Sequence, residues 1–238
     1  MGKDKDKNKN KFVFFNNNSD RVSCEVAEYI KTLGYTPVFA DNINNSVDLI
    51  SEQSVTDFLE PYKGELVGAV LANPAMIHGE IEYTTDEMWN NARDIFAVAM
   101  INLTQIAGKI LSQNKTGSII YLNSIHADKP LGNGFLYSMG CAATQMLCKE
   151  AAIIYGASGV GCYNIMRGIV EGEESCFTSE YSSLYHNAEL RFPQEKIPSA
   201  QSLNELCAFL LSGGGYILNG TDLHADEGFR LYYGKSSL

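Results

Sequence analysis

The chain has 238 residues, of which 45% are hydrophobic and 19% charged, and its formal net charge is −10. This length and composition are enough for one domain with a sizeable core, and they exclude a disordered protein, a collagen-like fibre and a small disulfide-stapled scaffold. The negative charge disfavours broad binding to nucleic acid or to an anionic membrane surface, because both repel an acidic protein.

The cysteine pattern and the first residues predict a reduced, cytoplasmic protein. Six cysteines are scattered without a C-x-x-C pair, and the N-terminus has no apolar segment of the kind that directs secretion. No metal site is predicted. No continuous apolar run approaches the roughly 18 residues that span a bilayer. Residues 1–11 alternate Lys with Asp and Asn, a pattern typical of a disordered tail.

The first predicted elements are a short strand and a helix. The strand is FVFF (12–15), and turn residues follow it. A helix comes next, because apolar residues recur there at the spacing of one helical face. These residues are Val22, Val26, Ile30 and Leu33. Gly34 is predicted to end the helix as its C-cap.

Further along the chain, strands and helices continue to alternate. The predicted strands are TPVFA (36–40), GELVGAVLA (64–72), GSIIYLNS (117–124) and VGCYNIM (160–166), and the two predicted long helices cover 86–113 and 137–155. This alternation predicts an α/β fold with a doubly wound parallel sheet, in a single Rossmann-type domain over 12–238.

The span 171–202 differs from the rest of the chain. It is polar and aromatic, contains two prolines and has no clear period. A long irregular insert of this kind is typical of a substrate lid. Its aromatic residues favour an apolar or aromatic organic substrate. They are Phe177, Tyr181, Tyr185 and Phe192.

Ser124 and Tyr137 are the first candidate site residues. In a doubly wound sheet, ligands bind outside the carboxyl ends of the strands. Ser124 ends a predicted strand, and Tyr137 opens the next helix 13 residues later. The fold can bring both hydroxyls to one edge of the sheet, where the tyrosine exchanges a proton with an oxygen that the serine holds. Both placements are also common without function, so the residues alone leave this open.

The stretch NSIHADKPLGNGFLYSMGCAATQ resembles the active-site stretch of the short-chain dehydrogenase/reductase family. Three more segments are similar to family patterns at family spacing: LANPA (71–75), YNIMRGIVEG (163–172) and YILNGTDLHADEG (216–228). The resemblance covers nearly the whole chain. It implies a nicotinamide-dependent oxidoreductase with Ser124 and Tyr137 at the catalytic Ser and Tyr positions.

The chain departs from the family at the catalytic lysine. The family motif is Tyr-x-x-x-Lys, in which the ammonium lowers the pKa of the tyrosine and binds the nicotinamide ribose; this chain has Cys141 in place of the lysine. A neutral thiol supplies neither charge nor donors, so Cys141 is either a small packing residue or a reactive thiol. The resemblance puts Asp94 near the position of the family's proton-relay Asn, with Asn102 as the alternative two turns away.

The glycine-rich cofactor loop has also changed. The family pattern T-G-x-x-x-G-x-G aligns with residues 16–23, and its three glycines are replaced by Asn17, Arg21 and Ser23. Asn17 tolerates the left-handed backbone of the tight turn, and Arg21 has the charge to contact a phosphate. Alternatively, the side chains of Arg21 and Ser23 fill the space that the diphosphate would occupy. Asp20 adds a negative charge there.

Asp41 ends the second predicted strand, where an acid binds the hydroxyls of an adenosine ribose. If a dinucleotide binds, this favours NAD(H) over NADP(H); the alternative is that Asp41 caps a turn. If no dinucleotide binds, the protein is expected to work without a cofactor. The other residues that the resemblance places at the cofactor are Asn17, Ser19, Arg21, Asn73 and Ile169.

Two further residues are candidates for contact with substrate. Arg167 replaces the family's proline and either clamps a carboxylate or phosphate or forms an ion pair with Glu171 or Glu173. His126 follows the strand of Ser124 and either exchanges protons near neutral pH or is simply solvated.

Three functions remain open at this level. The first is a diverged oxidoreductase acting on a carbonyl or secondary alcohol of a small organic or carrier-bound acyl substrate. The second is a dehydratase, isomerase or cyclase that uses the same Ser/Tyr pair without a cofactor. The third is a noncatalytic binding or partner subunit. The resemblance also implies a homodimer or homotetramer that packs through the two long helices.

Overall fold

The computed structural model describes residues 10–40, 47–130, 134–173 and 189–231. Its strands are β1 Phe12–Phe15, β2 Thr36–Phe39, β3 Leu66–Ala72, β4 Ser118–Ser124, β5 Gly161–Arg167 and β6 Asp222–Ala225. Its helices are α1 Arg21–Thr32, α2 Glu52–Leu59, α3 Asp86–Arg93, α4 Ala99–Asn114, α5 Phe135–Gly156 and α6 Asn204–Leu211. A π-helical segment, Asp94–Val98, joins α3 to α4.

The six described strands form one parallel sheet in the order β2-β1-β3-β4-β5-β6. The chain first runs outward from β1 to β2 and then returns to β3 on the other side of β1. This change of direction creates a crevice at the carboxyl ends of β1 and β3, where ligands bind in such sheets. The predicted doubly wound α/β fold is confirmed.

Helices cover both faces of the sheet. On one face α2, α4 and α5 bury alternate strand residues such as Phe14, Leu71 and Tyr121. On the other face α1 and α6 cover the intervening residues, among them Phe15 and Val70. Strands buried on both sides account for the near-continuous apolar runs in the sequence.

The structure corrects several predicted boundaries. Leu33 does not lie on the buried face of α1: it is half exposed, because the helix has already ended at Thr32. Gly34 follows with a φ of +85°, as a helix end with glycine requires. The short helices α2 and α6 were not predicted. Of the predicted tail and lid, residues 1–9 and 174–188 lie outside the described residues.

By length and composition, the helical region 86–114 could cross a membrane. The sequence did not predict this, because it contains no continuous apolar run of that length. Half of its most apolar window is buried in the domain. Its buried residues, including Met100 and Leu103, pack against the sheet. The region is therefore a core helix of this fold.

Candidate active site

The structure brings Ser124 and Tyr137 together at the carboxyl edge of the sheet. Ser124 is the buried last residue of β4, and Tyr137 is the partly buried third residue of α5. The Ser124 side chain approaches the Tyr137 phenol closely enough to lower its pKa by hydrogen bonding. An oxygen bound beside this pair would meet both hydroxyls.

Tyr137 holds its proton at neutral pH. Burial raises the pKa of its phenol well above the ordinary value, and the neighbouring Cys141 thiol raises it further. The positive charge of Arg167 and the hydrogen bond from Ser124 lower this pKa without reversing the shift. The shift opposes formation of the phenolate that proton donation leaves behind, and Arg167 and Ser124 are the groups that ease it. The influence of Arg167 on Tyr137 is not visible in the sequence, because the two residues are 30 positions apart.

His126 lies against the Ser/Tyr pair and is not a solvated loop residue. Its Nδ1 is 2.7 Å from Ser124 Oγ, and its ring packs edge-on against the Tyr137 ring with a centroid separation of 5.3 Å. Its Nε2 is buried and has no hydrogen-bond partner among the described residues. Burial, together with the nearby His78, lowers the pKa of His126 to about 4. The imidazole is therefore neutral at pH 7, with one donor and one acceptor nitrogen.

The lowered pKa of His126 predicts an acid-sensitive fold. The unfolded chain binds a proton at His126 near pH 6.5, whereas the folded chain binds it only near pH 4. The associated stability is present above pH 6.5 and is lost as the pH falls toward 4. We expect the free energy of unfolding to fall by about 2 kcal/mol more in the wild type than in His126→Gln between about pH 7 and about pH 4.5. Urea denaturation at several pH values measures this difference. An equal fall in the free energy of unfolding in the two proteins over this pH range would contradict it.

Cys141 is buried in a polar network and is not placed as a reactive thiol. Asn73 Nδ2 donates to Asn123 Oδ1 at 2.7 Å and lies 3.6 Å from Cys141 Sγ, and Thr144 donates to Asn73 Oδ1. Asn123 Nδ2 donates to the Cys141 carbonyl oxygen at 2.9 Å. Burial raises the pKa of Cys141 to about 12, so the thiol is neutral at pH 7. The geometry agrees with the packing interpretation of Cys141. Asn123 was missed by the sequence reasoning, although it directly precedes Ser124.

Phe96 also supports Tyr137 and was missed. The π-helical segment presents Phe96 to α5, where its ring meets the Tyr137 ring edge-on at 5.7 Å between centroids. Gly140 makes room for it, because a Cβ at this position would lie 2.3 Å from the Phe96 ring. The glycine in the middle of α5 was the only sequence signal for this close approach.

The structure supports neither predicted proton-relay residue. Asp94 Oδ1 accepts hydrogen bonds from the Arg93 guanidinium at 2.9 and 2.7 Å, on the outer side of the π-helical segment. Asn102 Nδ2 donates to the carbonyl oxygens of Leu49 and Ile50, which fixes the chain before α2. Neither side chain forms a described hydrogen bond with Ser124 or Tyr137. The assignment of Asp94 to the site came from a loose alignment and is not supported by these contacts.

The loop after β1 uses its own side chains to satisfy its backbone. Asn17 Oδ1 accepts hydrogen bonds from the backbone N–H groups of Ser19 and Asp20 at 2.9 and 3.1 Å and from the Ser19 hydroxyl. Asp20 is the N-cap of α1, and its Oδ2 accepts from the Ser23 N–H at 2.7 Å. Asn16 pairs with the backbone of Ala72 through both ends of its amide. The N-terminus of α1 therefore already holds a carboxylate.

Arg167 joins this loop to the far side of the crevice. Its Nη2 lies 3.0 Å from Asp20 Oδ1, and its Nη1 lies 2.7 Å from Glu173 Oε1. All three side chains are at least 84% buried. Of the sequence alternatives, the ion pair with Glu173 is present, whereas Glu171 pairs with Lys196 instead. The contact with Asp20 was not predicted, because it links residues 147 positions apart.

Comparison with known proteins gives the family. A family model described as enoyl-(acyl carrier protein) reductase matches residues 9–230. A protein of Gibberella zeae named short chain dehydrogenase/reductase dpfgG is 24% identical over 91% of this chain and 86% of its own length. The chain belongs to the short-chain dehydrogenase/reductase family. The matching model and this relative are both described as reductases, which supports an oxidoreductase of this family.

A second curated relative and two solved structures are also similar to the chain. The NADH-dependent enoyl-[acyl-carrier-protein] reductase FabI of Bacillus subtilis is 21% identical over 67% of this chain and 61% of its own length. The solved structure of gox2181 superposes with a TM-score of 0.85 at 16% identity, covering 94% of this chain and 97% of that one. The structure of ElxO with NADP bound gives a TM-score of 0.79 at 18% identity, covering 93% and 99%. These structures show the shared fold.

The described residues do not fit a dinucleotide diphosphate in the usual place of a short-chain dehydrogenase/reductase. That group binds to free backbone N–H donors at the N-terminus of α1. Here the N–H groups of Ser19, Asp20 and Ser23 are bonded to the side chains of Asn17 and Asp20. The Asp20 carboxylate also repels an incoming phosphate. The N-terminus of α1 therefore offers no free anion site to a dinucleotide.

The other predicted cofactor residues give little support for a dinucleotide. The Arg21 guanidinium packs over Gly172, where an added Cβ would lie 2.1 Å from Nη1. The amide of Asn73 is used within the network around Cys141. Ile169 is partly buried after β5, and Asp41 lies outside the described residues. Within the described ranges, no group of three or more His, Cys, Asp or Glu side chains is arranged to hold a metal ion.

Proposed function

We propose that this short-chain dehydrogenase/reductase acts on a carbonyl or secondary-alcohol oxygen of a small organic or carrier-bound substrate. Tyr137 exchanges the proton with that oxygen, and Ser124 holds the oxygen in place. The observation that carries the proposal is the placement of both side chains against His126 at the carboxyl edge of the sheet. Retention of both hydroxyls within a matching family fold supports chemistry at this site.

The residues around the pair orient its two hydroxyls. When His126 carries its ring proton on Nδ1, it donates to Ser124 Oγ over 2.7 Å and leaves the serine hydroxyl proton for the substrate oxygen. The packing of Phe96 and His126 against Tyr137 fixes the orientation of the phenol. In this scheme His126 is a positioning residue for Ser124.

Hydride exchange with a nicotinamide cofactor is the reaction that the family resemblance favours. The curated relatives are a short-chain dehydrogenase/reductase and an NADH-dependent reductase, and ElxO has a structure with bound NADP. In this reaction a nicotinamide cofactor would supply the hydride, and NAD(H) is the form that Asp41 favours. Its diphosphate would have to bind away from the N-terminus of α1, where the Asp20 carboxylate lies. Tyr137 would supply the proton.

A cofactor-independent dehydration, isomerisation or cyclisation is the second candidate. The specific observation in its favour is the carboxylate of Asp20 at the N-terminus of α1, in the place of a diphosphate. The replacement of the family's lysine by the neutral Cys141 agrees with it. Proton transfer alone needs Ser124 and Tyr137 but neither of those lost features.

A substrate panel distinguishes the two candidates. Ketones, enones and secondary alcohols, free and as thioesters, are incubated with the protein in the presence and absence of NADH and NADPH. Mass spectrometry detects a change of two mass units for hydride transfer, and loss of water or a change in retention time at constant mass for the cofactor-independent reactions. The Ser124→Ala variant serves as the matched protein control, because it removes only the hydroxyl that holds the oxygen.

We further propose that the protein is a homo-oligomer that packs through α4 and α5. Met139, Met146 and Ile153 are exposed on α5 at intervals of seven residues, and they therefore lie along one face of that helix. Ile101 is half exposed on α4. An apolar stripe of this length is typical of a subunit interface.

The interface proposal predicts that a charge on this stripe separates the subunits. We expect the double variant Met146→Lys/Ile153→Lys to elute as a monomer at concentrations where the wild type is a dimer or tetramer. Size-exclusion chromatography with light scattering measures this mass. Phe209→Lys, on the exposed side of α6, is the control and keeps the wild-type mass. A monomeric wild type would contradict the proposal.

A further inference from the structure

An ion bridge of three residues crosses the carboxyl edge of the sheet. It runs from Asp20, after β1, through Arg167, at the end of β5, to Glu173. We propose that this bridge closes the diphosphate site of the family fold, so that the chain does not bind NAD(H) or NADP(H) through the N-terminus of α1. The inference goes beyond the proposed function and does not depend on it, because binding is measured without turnover.

The bridge occupies the anion site directly. A diphosphate binds at a helix N-terminus because free N–H groups and the helix dipole favour negative charge there. The Asp20 carboxylate already takes this place, since it accepts from the Ser23 N–H at 2.7 Å. Its side chain is only 8% exposed, so solvent screens little of its charge from an incoming phosphate. Asn17 engages two more backbone donors of the same loop.

The buried cation at this loop is already neutralised. Arg167 contacts the loop through Asp20, and both of its terminal nitrogens are paired with carboxylates. Glu173 is fixed in turn, because its Oε2 accepts from the backbone N–H of Val170 at 3.1 Å. The two carboxylates and the guanidinium together carry one net negative charge.

The bridge also spans the path along which an extended dinucleotide would lie. In the sheet, β3 and β4 stand between β1 and β5, so the bond from Asp20 to Arg167 joins loops three strand positions apart. A second contact closes the same crevice, where the Arg21 guanidinium covers Gly172. Diphosphate binding therefore requires the bridge to open.

Opening the bridge by charge removal tests the proposal. The double variant Asp20→Asn/Glu173→Gln removes both carboxylate charges, keeps similar side-chain shapes and retains an N-cap at position 20. It also leaves Arg167 available to a phosphate. NADH binding is measured by calorimetry and by nicotinamide fluorescence. We expect no saturable binding by the wild type at millimolar NADH, and at least tenfold tighter binding by the double variant.

The control has the same change in net charge away from the bridge. Glu28→Gln/Glu171→Gln removes two exposed or half-exposed carboxylates from α1 and from the loop of Glu173. It should bind NADH as weakly as the wild type. Thermal unfolding confirms that each variant is folded, and Asp20→Asn alone, which keeps an N-cap and the Arg167–Glu173 pair, replaces the double variant if that protein does not fold. It should still bind NADH more tightly than the wild type does.

Three results would overturn the proposal. Micromolar NADH binding by the wild type would show that the bridge does not exclude the dinucleotide. A folded bridge variant that binds no better than the wild type would show that the bridge is not the barrier. An equal gain in the control would assign the effect to overall charge.

Discussion

Tyr137→Phe is expected to abolish conversion of the substrate while leaving the fold intact. Removal of the phenol oxygen removes the proton donor, and a positioned acid of this kind contributes about 100-fold to 10,000-fold in rate. The ring contacts with Phe96 and His126 remain in the variant, so its thermal unfolding should resemble that of the wild type. Turnover is compared by mass spectrometry on whichever substrate of the panel the wild type converts.

The matched control for this prediction is another tyrosine of the same chain. Tyr83 is 75% exposed and belongs to a short turn before α3. Tyr83→Phe should keep the wild-type rate within about twofold, as a surface change away from the site is expected to do. Equal turnover by Tyr137→Phe and the wild type would remove Tyr137 from the mechanism.

The second large effect concerns stability. Arg167→Met should lower the free energy of unfolding by about 3–5 kcal/mol, because it leaves the carboxylates of Asp20 and Glu173 buried without their partner. Denaturant titration measures the loss. Addition of Asp20→Asn and Glu173→Gln to this variant should recover most of the stability, because the triple variant carries no unpaired buried charge.

An exposed ion pair provides the comparison for Arg167. Arg93 contacts Asp94 on the surface, with its side chain 49% exposed. Arg93→Met should therefore cost less than about 1 kcal/mol. Similar losses in Arg93→Met and Arg167→Met would mean that the buried bridge contributes no more than a surface pair.

The sequence was sufficient for the fold because strong local patterns agree with one another. The apolar runs of β3, β4 and β5 are long enough to mark strands buried on both faces, and α4 and α5 lack internal breakers other than Gly108 and Gly140. The short helices were missed because they lack such a pattern. α2 and α6 have eight residues each, which is too few for a clear helical period.

The candidate site could be predicted only in part. Ser124 and Tyr137 follow from strand ends and from family spacing, and the structure brings them together. Of the bridge, the pair of Arg167 with Glu173 was one of two alternatives offered by the sequence, whereas the contact with Asp20 could not be predicted, because it joins residues 147 positions apart. The role of His126 depends on burial and on its contacts with Ser124 and Tyr137, which a sequence pattern does not reveal.

The central claim is that Ser124 and Tyr137 perform proton chemistry on a substrate oxygen. Its most direct test is the substrate panel, run with the wild type, Ser124→Ala and Tyr137→Phe, each with and without added NADH. The account predicts conversion of a carbonyl or secondary-alcohol compound by the wild type that is lost in both variants. If the bridge closes the diphosphate site as proposed, this conversion is redox-neutral, a dehydration, isomerisation or cyclisation that proceeds without added NADH; a conversion that requires NADH would assign the site to hydride exchange instead. Conversion at equal rates by all three proteins would contradict the account.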